Sequence, residues 1–149
     1  MKKNVTILCM AAIFAVLLAS CSGGGGGLSN LFTSVEGPWI DETADSNGIY
    51  SGFYLSDGKA YMAVTKDKET IYYTKEKLTL LNADPGTYTS SGNEVKITFA
   101  GETQTCTRDG DTMTYTYNGK KETIKKRGSA KLEAKTGADF EKFMLTGSF

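Results

Sequence analysis

Glu94-Val95-Lys96-Ile97-Thr98-Phe99-Ala100-Gly101 is the stretch that decides how this chain folds. Val95, Ile97 and Phe99 alternate with Glu94, Lys96 and Thr98. A side-chain period of two places the apolar three on one face of a β-strand and the polar three on the other. Ala100-Gly101 then turns the chain. The pattern continues downstream. Thr103 to Arg108 reads as a strand ended by Asp109-Gly110-Asp111. Thr112 to Tyr117 sets Met113, Tyr115 and Tyr117 on one face and threonines on the other. Asn118-Gly119 is the strongest two-residue hairpin signal, because such turns demand positive φ at both positions. Lys120 to Lys126 returns with Ile124 inward.

Upstream the same grammar holds. Ile49 to Leu55 reads as a strand, Asp57-Gly58 as a hairpin, and Lys59 to Thr65 as its partner. A charged loop, Lys66-Asp67-Lys68-Glu69, precedes expected strands over Thr70 to Thr74 and Lys77 to Leu81. Asn82 to Gly86 turns the chain, and Thr87 to Ser90 is a short strand ended by Ser91-Gly92-Asn93. Short strands with recurring turn signals predict an all-β sandwich or barrel. Sequential neighbours usually pair, which favours an antiparallel up-and-down meander barrel of about eight to ten strands, a form that closes its own edges. Two helical pieces flank it. Leu28, Leu31, Phe32 and Val35 fall at helical spacing, and Pro38 ends that turn. Phe140, Phe143 and Met144 share one face of a short C-terminal helix expected to pack on the barrel wall.

The chain begins differently. Met1-Lys2-Lys3 precedes an apolar run from Val5 to Leu18, too short for a comfortable membrane span. Leu18-Ala19-Ser20-Cys21 resembles the lipobox of diacylglycerol-modified bacterial lipoproteins. The resemblance implies a signal peptide over 1–20, cleavage after Ser20, and lipidation of Cys21. A single acyl chain holds weakly, at about 0.8 kcal/mol per buried methylene, so two or three chains make a durable anchor to the membrane. Ser22, where aspartate would favour inner-membrane retention, implies an outer-membrane location in the cell envelope. Gly23 to Gly27 is a flexible tether. The expected division is 1–20 signal, 21–30 lipidated cysteine and tether, and 31–149 barrel.

Composition narrows the chemistry. Loss of Lys2 and Lys3 with the signal leaves 15 basic against 17 acidic residues, and no basic excess points to nucleic acid. Cys9 leaves with the signal and Cys21 carries lipid, so Cys106 remains as a thiol in a strand, read as a buried, inert one. The chain has no histidine. That removes the usual base for a serine or cysteine nucleophile and the commonest transition-metal ligand. Asp41 to Gly48 has some acidic spacing of a calcium loop, yet Thr43 and Tyr54 stand where its first acid and its bidentate glutamate belong. The expectation is a non-enzyme with no metal and no cofactor.

Gly37-Pro38-Trp39 resembles the Gly-x-Trp motif that opens lipocalin-like domains, and the meander and late helix match that plan. The resemblance implies a basic residue near the last strand packing across the tryptophan, and Arg127 is the candidate, with guanidinium on indole. Gly37, Trp39 and Arg127 therefore form the expected structural motif. The eight tyrosines, from Tyr50 to Tyr117, suggest a tyrosine-rich interior. The candidate cavity residues are Phe53, Leu55, Met62, Val64, Val95, Ile97, Phe99, Met113, Tyr115 and Tyr117. Two functions follow as expectations. One is an anchored binding module for a small apolar or amphipathic ligand. The other is a structural or interaction lipoprotein with a solid core that contacts an envelope protein partner. Lys120-Lys121 and Lys125-Lys126-Arg127 make a basic patch suited to a charged rim or to anionic headgroups.

Overall fold

The computed structural model describes residues 34–149. The signal, the lipobox, the tether and most of the expected N-terminal helical turn lie outside the described residues.

Ten strands and one helix follow in order: β1 (Gly37–Asp41), β2 (Tyr50–Ser56), β3 (Lys59–Thr65), β4 (Thr70–Tyr73), β5 (Gly86–Ser91), β6 (Glu94–Phe99), β7 (Glu102–Asp109), β8 (Thr112–Tyr117), β9 (Lys120–Lys126), β10 (Lys131–Ala134) and α1 (Gly137–Thr146). Eight of the strands close an antiparallel barrel. β1 to β3 and β5 to β9 pair in sequence, β9 returns to β1, and β3 meets β5 through Lys59↔Thr87 and Ala60↔Gly86. The expected all-β meander is therefore present. Hairpin chemistry explains the register. Asp57-Gly58, Ala100-Gly101 and Asn118-Gly119 have positive φ at both positions, the geometry that matches the twist of paired strands.

β4 leaves the ring. It pairs with the far part of β3 through Ala63↔Tyr73 and Val64↔Tyr72, and β10 adds to it in parallel, with Leu132 beside Ile71. The chain between β4 and β5 is not the strand expected over Lys77 to Leu81. It hooks back on itself, with the Leu78 and Ala83 backbones exchanging hydrogen bonds at 2.8 and 3.0 Å. Burial decides this, because Leu78 and Ala83 turn into the core, while the Leu80 N–H donates to Glu141 on α1.

α1 is locally well specified. The Thr136 hydroxyl accepts the Asp139 N–H at its start, and Gly147, in the left-handed region, donates to Phe143 O at its end, both ordinary capping devices. The Glu76 carboxylate accepts the Gly137 N–H at 2.7 Å. Phe140, Phe143 and Met144 join the same core as the barrel interior, and Phe143 meets Tyr72 of β4 at 5.1 Å between ring centres. The helix expected to pack on the barrel wall does so where β4 departs, with its apolar face joined to the inner core.

That inner core holds Trp39, Leu55, Met62, Val64, Val95 and Met113 with at most 2 % exposure. Each such side chain contributes about 1.5–3 kcal/mol. A smaller cluster of Ile40, Ala63 and Ile71 lies apart, covered by Tyr50, Tyr54, Tyr73 and Ala130. Strand alternation places it on the outside of the barrel.

Candidate functional site

The structure brings the ten expected cavity residues together. Phe53, Leu55, Met62, Val64, Val95, Ile97, Phe99, Met113 and Tyr115 are buried in one cluster, and Tyr117 packs half-buried against it. Phe53 and Phe99 meet edge to face at 6.0 Å. A cavity among them, lined by Phe53, Ile97, Cys106, Tyr115 and Ile124 with the polar Asp41, Ser51 and Gln104, has about 10 Å³. That is about the space of one water molecule, which needs roughly 10–15 Å³. A site for a small organic ligand takes about 300 Å³ or more.

Burial disfavours the charged forms of the titratable groups around this cavity. Burial raises the Asp41 carboxyl above its ordinary range. The Thr43 N–H, donating to it at 2.8 Å, opposes this, and the nearby Glu122 carboxylate adds to the rise. Burial pushes the Tyr115 hydroxyl well up, with Asp41 and Glu122 reinforcing it. Burial alone pushes the Cys106 thiol up to about 12. Burial of this kind disfavours the thiolate, the form that acts as a nucleophile. Cys106 is buried, as its setting in the sequence suggested.

Trp39 anchors the other end of the interior. Its indole N–H donates to Val35 O at 2.7 Å. Two cations lie over its ring: the Arg108 guanidinium at 5.8 Å and the Lys126 ammonium at 5.9 Å. Arg127, the residue expected there, goes elsewhere and pairs with Glu42. The pleat gives the reason. Trp39 and Lys126 are direct cross-strand partners, and such partners share a face, so the next residue along points to the opposite one. Arg108 is the basic residue the sequence reading passed over. It is 4 % exposed and donates to Gly110 O at 2.9 Å and Ser34 O at 3.3 Å. The same Ser34 carbonyl accepts from Lys126 at 2.6 Å. The two cations clamp the chain where it enters the barrel. The period of two that puts Cys106 inside also puts Arg108 inside, so the signal was present. Its charge hid it.

The tyrosines divide between the two faces. Tyr72, Tyr88, Tyr115 and Tyr117 meet the inner core. Tyr50, Tyr54 and Tyr73 lie against the outer cluster, and Tyr61 packs on Tyr54 and Tyr73. The expected tyrosine-rich interior is thus half the set.

The loop after β1 spends its carboxylates locally. Asp45 accepts the Asn47 and Ile49 N–H groups at 2.8 and 2.9 Å. Among the described residues no three acidic, cysteine or histidine side chains gather in a metal-binding group, and no helix is long and apolar enough to cross a membrane. Glu42 is the hub of a surface charge network. It faces Arg127, Lys125 at 3.5 Å and Lys68 at 3.8 Å. Desolvation raises its carboxyl, and the three cations outweigh that and hold it below the usual range. Compared with known proteins, the chain matches no family model, no curated protein and no solved structure.

Proposed function

We propose that this chain is a non-enzymatic, lipid-anchored envelope protein whose barrel has a solid core and which works through its outer surface, against another envelope component. One observation carries the reading: the inward side chains pack on one another and leave a cavity of about 10 Å³ where a ligand carrier needs room. The neutral thiol of Cys106 and the absence of histidine support a role without covalent chemistry. The Leu18-Ala19-Ser20-Cys21 segment supports the anchor.

Mass spectrometry of solvent extracts from the purified protein tests the solid core, with no stoichiometric small molecule as the expected result. A molecule recovered at one equivalent refutes it and restores the ligand-carrying alternative. Incorporation of labelled palmitate in growing cells, lost in Cys21→Ser, tests the anchor. Crosslinking in intact cells then reads the partner, and a specific adduct above background is expected.

A further inference from the structure

The outer surface of this barrel has two unlike flanks. On β7 and β8 the outward positions are Thr103, Thr105, Thr107, Thr112, Thr114 and Thr116, polar residues at ease in water. The flank of β2, β3 and β4 is aromatic. Tyr54 and Tyr61 are cross-strand partners, and Tyr73 joins them, with ring centres 4.7 Å from Tyr54 and 6.0 Å from Tyr61. Leu132 of β10, 37 % exposed, extends the same face beside Ile71. Cations border it. Lys75 lies 5.7 Å from the Tyr61 ring and Lys68 lies 4.0 Å from that of Tyr50. Lys125 and Arg127 share the carboxylate of Glu42 with Lys68. The Asp67 carboxylate beside them is occupied by its own loop, accepting the Glu69 and Thr70 N–H groups.

We infer that this tyrosine and lysine flank docks side-on against an anionic phospholipid surface. Tyrosine suits the boundary between headgroups and acyl chains because its ring is apolar and its hydroxyl is not. Cations at the border meet the headgroup phosphates. The inference rests on the anchored reading for its setting. Only residues 22–33 separate Cys21 from the first described residue. Twelve residues reach at most about 40 Å, beyond the radius of gyration of about 13 Å for a body of this size. The membrane is then always within reach, at millimolar effective concentration, so a weak flank suffices to orient the domain.

The test uses the mature chain purified from membranes and reconstituted in vesicles, either phosphatidylglycerol-rich or of phosphatidylcholine alone. Tetranitromethane nitrates accessible tyrosines, and peptide mass spectrometry reads each one. Tyr54, Tyr61 and Tyr73 should be nitrated several-fold more slowly on phosphatidylglycerol, with Tyr117 unchanged as reference. The double variant K68Q/K75Q should abolish the difference. Each basic side chain near such a surface is worth about fivefold in association, so the pair is worth about 30-fold. Raising salt on the wild-type protein should abolish it too, which needs no variant to fold. Equal nitration on both vesicle types overturns the docking. The mass of the Cys21 peptide reports the anchor separately. If it carries no acyl chains, vesicles added to the unanchored chain at high lipid concentration read the same protection, so the two failures stay distinct.

Discussion

Gly52→Ala should be among the most damaging single changes in this protein. A Cβ on Gly52 lies 1.9 Å from the carbonyl oxygen of Trp39, 2.9 Å from its carbonyl carbon and 3.0 Å from Ile40 Cα. All three are backbone atoms of β1, and Ile40 is the registered partner of Gly52. No rotamer change relieves such a contact, so β1 must move by about 1 Å against β2. Overpacking against movable side chains costs about 1–3 kcal/mol. Loosening one or two ladder hydrogen bonds adds about 1 kcal/mol each. A loss of about 4 kcal/mol follows, a large share of the roughly 5–15 kcal/mol that stabilises a typical domain. At about 4 °C per kcal/mol for a body of this size, Tm should fall by about 16 °C. Gly58→Ala is the control. Gly58 has φ +74° with nothing within 4 Å of the added Cβ, so the cost is left-handed backbone alone, about 1 kcal/mol, or about 4 °C. Thermal unfolding followed by circular dichroism compares the two. A Gly52→Ala protein that melts with or above Gly58→Ala refutes the reasoning, and with it the close approach of β1 and β2 that shapes the barrel.

Arg108→Ala should cost about 2 kcal/mol, since it strips cation and hydrogen bonds from a buried site, and should shift the fluorescence of Trp39, the chain's one tryptophan. Arg127→Ala should leave that fluorescence unchanged, and the reverse outcome would return the indole stacking to Arg127. Asp41 has a raised folded pKa, so between the ordinary value near 3.8 and that raised value the folded state holds the extra proton and stability falls as pH rises. Asp41→Asn should therefore flatten this acid-side slope in urea titrations and be more stable than wild type at pH 7. Cys106 should resist iodoacetamide in the native protein at pH 8, and its labelling rate should follow unfolding by urea. Rapid native labelling would contradict both its burial and its raised pKa.

The strands whose partners are close in sequence were legible because their information is local. Val95-x-Ile97-x-Phe99 and Met113-x-Tyr115-x-Tyr117 declare an inner face by alternation, and Asn118-Gly119 declares a turn by backbone sterics. The ten inward candidates follow from the same rule; nine are buried in the core and Tyr117 packs half-buried against it. β10 was not legible. Its four residues, Lys131–Ala134, carry a single leucine and find their partner in β4, some 60 residues earlier, in parallel. Lys77 to Leu81 has strand-like composition, yet its Leu78 is drawn into the core and the chain hooks around it.

What the sequence determined by itself was the face each strand side chain takes, because the period of two is a property of the extended backbone. What only the tertiary structure decided was which neighbour waits on that face. Lys126 and Arg108, on strands far from Trp39 in the chain, come together over its ring, while Arg127 turns out to Glu42. The same holds for volume. Apolar alternation reads alike in a hollow barrel and a filled one. The difference lies in how the inward side chains of eight strands and one helix interlock, a sum over long-range contacts that no local stretch of sequence contains.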